Sequence, residues 1–184
     1  MTRTLAVCIG AALLLSAGCG ARSEAGADAA ADPFPPRPRS FDIRSTDPCS
    51  TLTSSQVKEL GIVATSRSDL VPDLPGCLHV ASGGSYRVQL LVFTGARALL
   101  PGYPDQQGLD VFRDPVETDI DGFGAVEARL LRGKPADCAF TVDTGADSSM
   151  QFYYSTTGDD SDSAAGCDKA REFASMSLST LSAG

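Results

Sequence analysis

The chain is short of histidine, of tryptophan and of aromatic residues in general. Its 184 residues include one histidine, no tryptophan and 7% aromatic residues. No Gly-x-Ser-x-Gly motif accompanies the single histidine, His79, so the sequence offers no nucleophile-elbow serine for a hydrolase triad. We expect His79, in a predicted strand beside a disulfide cysteine, to be structural.

Positive charge is also scarce. Fifteen Lys and Arg residues stand against 23 Asp and Glu residues, which gives a net charge of −8. A protein that follows a phosphate backbone needs a basic surface, so we expect no nucleic-acid partner. Anionic lipid would repel such a domain, so membrane association would have to come from an anchor rather than from charge.

No apolar run in the chain reaches the roughly 20 residues that cross a bilayer. The apolar, uncharged run 5–15 follows Arg3, and Ser16-Ala17-Gly18-Cys19 comes directly after it. This order is typical of a secretory signal peptide, and its end resembles the lipobox of bacterial lipoproteins. The resemblance implies that residues 1–18 are removed and that Cys19 is acylated with diacylglycerol. The alternative is an ordinary signal peptide that contains a cysteine by chance.

Cys-x-x-Cys pairs, which a zinc site favours, are absent. Of the six cysteines, Cys8 leaves with the signal peptide and Cys19 carries the lipid. An even number of remaining cysteines in an exported domain predicts two disulfides. These four are Cys49, Cys77, Cys138 and Cys167.

Two regions follow the signal peptide. Residues 19–46 are rich in Ala, Pro and Ser and show no apolar period, which is typical of a disordered tether. Residues 47–184 are predicted to form one globular α+β domain: an antiparallel sheet with one short N-terminal and one long C-terminal helix. The predicted helices are 54–60 and 164–181, and the predicted strands are 62–65, 77–81, 86–94, 116–120, 125–131, 138–143 and 150–155.

The last hairpin predicts how the cysteines pair. The strand that starts at Cys138 turns and returns beside its own start, and the C-terminal helix must begin near that end. Cys167, on this helix, can therefore reach Cys138, which leaves Cys49 to pair with Cys77.

Several motifs of the domain resemble the actinobacterial lipoproteins known as domain of unknown function 3558. They are "DPCSTLTSSQVKELGI", "DGFGAVEA", "CAFTVD" and "CDKAREFASMSL", and the resemblance covers about residues 47–181. That family usually has tryptophan where this chain has His79. The resemblance implies no catalytic residue.

Asp143-Thr144-Gly145, in "FTVDTGADSS", has the form of an aspartic-protease motif. That mechanism needs two carboxylates that share one proton, and the chain has no second Asp-Thr-Gly or Asp-Ser-Gly. We therefore interpret the motif as a hairpin loop. An envelope hydrolase that acts through Asp143 remains the alternative function.

The acidic stretch 159–163 offers oxygen ligands but lacks the spacing and glycine of a calcium loop. We expect a solvated loop whose acids favour the start of the following helix, and no metal or cofactor.

The sequence therefore predicts a non-enzymatic binding or interaction module, lipid-anchored on the extracytoplasmic face of the cell membrane. Its partner, an envelope protein or a small ligand, is not named by any motif. The candidate binding surface is the loop 95–115, which mixes apolar and polar residues. Its apolar members are Leu99, Leu100, Tyr103 and Phe112. The alternative is a loop that only covers the core.

Overall fold

The computed structural model describes residues 34–68, 74–91, 96, 112–158 and 162–184. Within these ranges the helices are α1 (Ser54–Glu59) and α2 (Ser163–Ala183), and a short 3-10 turn covers Pro48–Ser50. The strands are β1 (Ile62–Arg67), β2 (Gly76–Ala81), β3 (Gly84–Leu91), β4 (Phe112–Ile120), β5 (Phe123–Leu130), β6 (Cys138–Gly145) and β7 (Ser148–Thr156).

The described strands form one sheet in the order β1-β2-β3-β7-β6-β5-β4. Every pair of neighbouring strands is antiparallel. The predicted α+β class, both helices and the predicted strands are confirmed. Several boundaries differ by a few residues, and residues 92–94 of the predicted strand 86–94 lie outside the described residues. The largest difference is at β4, which begins at Phe112, so the last residues of the predicted loop 95–115 lie in a strand.

Local sequence explains where the elements begin and end. The side chain of Thr53 and that of Gln56 cap each other's backbone at the start of α1, which is the predicted capping box. Gly61 follows α1 with a φ of 64°, a left-handed conformation that glycine adopts freely. Asp121 and Gly122 have φ angles of 53° and 82°, which fits the two-residue type I′ turn that joins β4 to β5.

Helix α2 covers one face of the sheet, where it lies against β7, β6 and β4. Side chains at alternate positions of the central strands point toward it because successive strand residues face opposite sides. Phe152 of β7 meets Phe173 of α2 edge-to-face, with ring centroids 5.4 Å apart. The fully buried side chains of this apolar core include Val88, Leu90, Phe140, Val142, Met150, Phe152, Phe173 and Leu178.

Both predicted disulfides are present. One joins the 3-10 turn to β2, and the other joins α2 to β6. Cys49 is bonded to Cys77 and Cys138 to Cys167, with Cα–Cα distances of 5.1 and 5.0 Å. The start of α2 lies very close to the chain before β6: a Cβ on Gly166 would stand 1.8 Å from the carbonyl oxygen of Ala136. Gly166 therefore permits the approach that lets Cys167 reach Cys138.

The predicted boundary between tether and domain at residue 46 must move toward the N-terminus, because residues 34–46 pack on the domain. Phe34 is buried, and a Cβ on Gly124 would lie only 2.4 Å from its side chain. The backbone N–H of Phe41 donates to the carbonyl of Thr144 at 3.0 Å, and Ile43 is part of the apolar core. These anchoring residues were not predicted, because the proline-rich composition of the segment is typical of a disordered tether.

Candidate functional site on the polar face of the sheet

The face of the sheet opposite α2 is polar, yet most of it is buried. Five side chains at the alternate positions of β3, β6 and β7 make up this surface, which we term the polar face: Arg87, Gln89, Thr141, Gln151 and Tyr153. The strand register places Arg87 beside Tyr153 and Gln89 beside Gln151. It places Thr141 on the other side of Gln151. Gln89, Thr141 and Gln151 are 6%, 2% and 4% exposed.

Three members of the polar face form a chain of hydrogen bonds. The side-chain amide of Gln151 donates from Nε2 to Thr141 Oγ1 at 2.9 Å, and the Tyr153 hydroxyl donates to Gln151 Oε1. Burial raises the pKa of Tyr153 well above its ordinary value of 10, although the charge of Arg87 opposes the shift. Tyr153 therefore stays protonated and keeps its role as donor.

Phe112, one of the predicted binding residues, lies at the edge of this surface. Its ring stacks on that of Tyr153, with centroids 6.1 Å apart and planes 21° from parallel. Ala139 stands beside Tyr153 in the sheet register and is 1% exposed. The small side chain of Ala139 therefore leaves space next to the rings of Phe112 and Tyr153.

Two polar side chains of this face, Arg87 and Gln89, have no partner among the described residues. Arg87 Nε is buried without a hydrogen-bond partner in the described ranges. In the described part of the chain, the side chains of Arg87 and Gln89 make no hydrogen bond or ion pair. Gly76, opposite Gln89 in the register, leaves room for this side chain, since a Cβ there would lie 3.3 Å from Gln89 Cγ. The face thus combines a satisfied network with donors that remain available.

Apart from Asp143, which lies on the same side of the sheet, the other predicted site residues fall outside this surface or outside the described residues. Cys19, Leu99, Leu100 and Tyr103 belong to ranges that the structure does not describe. The acidic stretch 159–163 is described only at its end, where Asp162 caps α2 by accepting from the N–H groups of Ala164 and Ala165.

Asp143 lies in strand β6 rather than in a loop, and the β6–β7 turn falls at residues 146–147. It is two residues after Thr141, so it lies on the same side of the sheet as the polar face. Its carboxylate is fully buried and accepts from Arg37 at 2.6 Å. Arg37 also reaches the carbonyl of Gly145, 3.5 Å away. The hairpin itself is confirmed, and the motif ties the N-terminal segment to the end of the sheet.

His79 is buried on the opposite, apolar face. Its Nδ1 lies 3.0 Å from Thr65 Oγ1, and its ring meets Phe173 at an angle of 75°. Desolvation lowers the pKa of His79 from 6.5, so the ring is neutral near pH 7. Its Nε2 has no hydrogen-bond partner in the part of the chain that the structure describes. These contacts fit the structural role that the sequence predicts.

A possible group of metal ligands and a surface cleft are further candidate sites, and both contain contacts that stabilise the fold. Glu127, Cys138 and Cys167 come within 4.8 Å of one another, but the two sulfur atoms are bonded to each other. An open cleft of about 500 Å³ is lined by Asp119, Asp121, Asp168, Arg171 and Glu172 among others. Arg171 there donates to the backbone oxygen of Asp119 at 2.7 Å, which fastens α2 to the β4–β5 hairpin.

The sequence contained part of the signal for the polar face. In "YRVQLLVF" the residues Arg87 and Gln89 alternate with apolar ones, which predicted a strand with one polar side. Such alternation usually marks a solvated surface. The burial of this side depends on contacts between residues far apart in the sequence, so the polar face was not predicted as a site.

The fold and the site define a disulfide-bonded α+β domain with one apolar and one buried polar sheet face. The chain belongs to the family described as Protein of unknown function (DUF3558), whose model matches residues 14–180. None of the curated proteins and none of the solved structures matches the chain. No helix of the described residues is both long enough and apolar enough to cross a membrane.

Proposed function

We propose that the protein is an exported lipoprotein, anchored through Cys19 on the extracytoplasmic face of the cell membrane, and that its domain binds a ligand on the polar face without catalysing a reaction. The observation that carries the binding role is the polar face itself. Burying polar side chains costs free energy unless hydrogen bonds compensate it. A face with donors that have no partner among the described residues is therefore better explained by a ligand than by the stability of the fold.

Export is supported by the two disulfides, Cys49–Cys77 and Cys138–Cys167. Structural disulfides persist in oxidising compartments and are rare in the cytosol. The signal-peptide pattern and the lipobox before Cys19 point the same way. A hydrolase acting through Asp143 is not proposed, because its carboxylate is fully buried and paired with Arg37.

The binding role is tested on the full chain extracted with mild detergent from membranes of an actinobacterial host. We expect native mass spectrometry to detect a bound small molecule on the wild-type protein. Gln151→Leu removes both hydrogen bonds of Gln151 at similar volume, so most of this molecule should be lost. Val116→Ala, on the exposed outer strand, is the control and should retain it. A wild-type protein that carries no small molecule would contradict the proposal.

The anchor is tested by fractionating cells that express the wild-type chain or Cys19→Ala. The wild-type protein should partition with the detergent phase and the variant with the aqueous phase. Equal partitioning of the two would contradict lipid attachment at Cys19.

A further inference from the structure

We infer that the polar face holds an oxyanion-binding site, in which Arg87 and Gln89 receive the carboxylate or phosphate group of a small organic ligand. The inference rests on the proposed binding function and specifies the chemistry of its ligand.

The first argument is the missing counter-charge. In a chain of net charge −8, four other described arginines lie within ion-pair distance of a carboxylate: Arg37, Arg67, Arg129 and Arg171. Arg37 pairs with Asp143, and Arg67 lies 2.9 Å from Asp47. Arg87 has no such partner in the described ranges, although its Nε is buried. A buried charge is normally paired, so an anion from outside would supply what the chain does not.

Tyr153 does not supply this charge. It is the neighbour of Arg87 in the register, but burial holds its pKa above the ordinary value. Its hydroxyl proton is directed to Gln151. Arg87 therefore faces a neutral phenol rather than a phenolate.

The second argument is the arrangement of donors. Arg87 and Gln89 are two residues apart on β3, which places them on the same face about 7 Å apart. A guanidinium group presents parallel N–H donors that match carboxylate and phosphate oxygens. Thr141 Oγ1 accepts from Gln151, so its own hydroxyl hydrogen is available to a ligand. Three different kinds of donor thus lie on adjacent parts of one surface.

The third argument concerns the rest of the ligand. The stacked rings of Phe112 and Tyr153 flank the donors, and the small, buried Ala139 lies next to Tyr153. Aromatic rings favour flat apolar groups through offset stacking. A single arginine between these groups suits a monoanion with an apolar or aromatic body.

The inference is tested by calorimetric titration of the full chain in detergent. The probes are benzoate, inorganic phosphate and dihexanoyl phosphatidylglycerol, so the arms separate a free carboxylate, a free phosphate and a lipid headgroup. Arg87→Gln should weaken binding about tenfold or more, since a charged hydrogen-bonding partner is lost. Arg87→Lys should fall between this variant and wild type. Arg132→Gln, at an exposed arginine, makes the same charge change and should leave the affinity within about twofold.

Thermal unfolding gives a second readout that a purely structural arginine would not produce. Without ligand, Arg87→Met should raise the Tm, because it replaces an unpaired cation with an apolar side chain of similar length. The probe that binds should raise the Tm of the wild type and leave that of Arg87→Met unchanged. A lower Tm for unliganded Arg87→Met would show that Arg87 stabilises the fold and would overturn the inference.

Equal affinities of wild type and Arg87→Gln would also overturn it, as would failure of the wild type to bind any probe. If no probe binds but a neutral molecule co-purifies with the protein, this inference fails while the proposed binding function stands. If no probe binds and nothing co-purifies, both fail.

Discussion

The two faces of the sheet are built from adjacent residues of the same strands but are filled differently. On β6 and β7, Phe140 and Phe152 enter the apolar core under α2, whereas their neighbours Thr141 and Gln151 belong to the polar face. All four are buried, at 4% exposure or less. The extent of burial therefore does not distinguish the two pairs of residues. The free energy of burial does, because the transfer of apolar surface from water into the protein is favourable and the transfer of polar groups such as amides is not. Stability should depend mainly on the apolar face.

The largest effect should separate two neighbouring residues of β7. Phe152→Ala removes a fully buried ring that contacts Phe173, so we expect a loss of about 4 kcal/mol in the free energy of unfolding. Gln151→Ala removes two hydrogen bonds and should cost about 1–2 kcal/mol. Urea denaturation of both variants measures the difference. Equal losses would mean that the polar face contributes as much to stability as the apolar core.

The disulfide that joins α2 to the sheet should come next. Replacing Cys138 and Cys167 together by alanine opens a loop with a sequence separation of 29, which should cost about 3.5 kcal/mol by loop entropy. Denaturant unfolding of this double variant against the wild type gives the value. A loss below about 1 kcal/mol would show that the packing of α2 holds the two ends together without the bond.

Much of the apolar face could be predicted from the sequence, because its signals are local. The helical period of the C-terminal segment predicts that Cys167, Ala170, Ala174, Leu178 and Leu181 lie on one side of α2. The first four are buried and Leu181 is partly buried. The period did not include Phe173, although its ring packs against Phe152. The Cys138–Cys167 pairing followed from the last hairpin and from the start of the C-terminal helix beside it. Gly166 was not singled out, because its role depends on Ala136, which is distant in the sequence.

The N-terminal attachment was less accessible to sequence reasoning. Arg37 lies among prolines in a segment of tether-like composition, and its partner Asp143 lies 106 positions away. Asp143 in turn carries a motif that suggested catalysis or a turn rather than an ion pair. The composition of a segment describes its residues on average. A single buried ion pair, such as Arg37–Asp143, can still fix such a segment on the domain.

This ion pair, on the side of the sheet that carries the polar face, gives the third prediction. Arg37→Met removes the cation from fully buried Asp143, while Arg37 itself is 23% exposed. The cost should lie between that of surface pairs and that of buried pairs, at about 2 kcal/mol. Arg44→Met, an exposed arginine of the same segment, is the control and should cost less. Urea denaturation tests both, and equal losses would contradict a specific role for the Arg37–Asp143 pair.

The smallest effect concerns His79, a polar residue on the apolar face. Because burial lowers its pKa, the folded protein keeps His79 neutral at pH values where the unfolded chain, with a pKa near 6.5, takes up a proton. Protonation of the unfolded state then favours unfolding, so the contribution of His79 to stability falls as the pH drops below about 6.5. His79→Phe removes this titration, while the carboxylates that titrate at lower pH are common to both proteins. The free energy of unfolding of the wild type should therefore decrease relative to that of His79→Phe between pH 8 and pH 5. If the difference between the two proteins is the same at every pH, His79 is not held neutral by the apolar face, and the contrast between the two faces is weaker than their packing indicates.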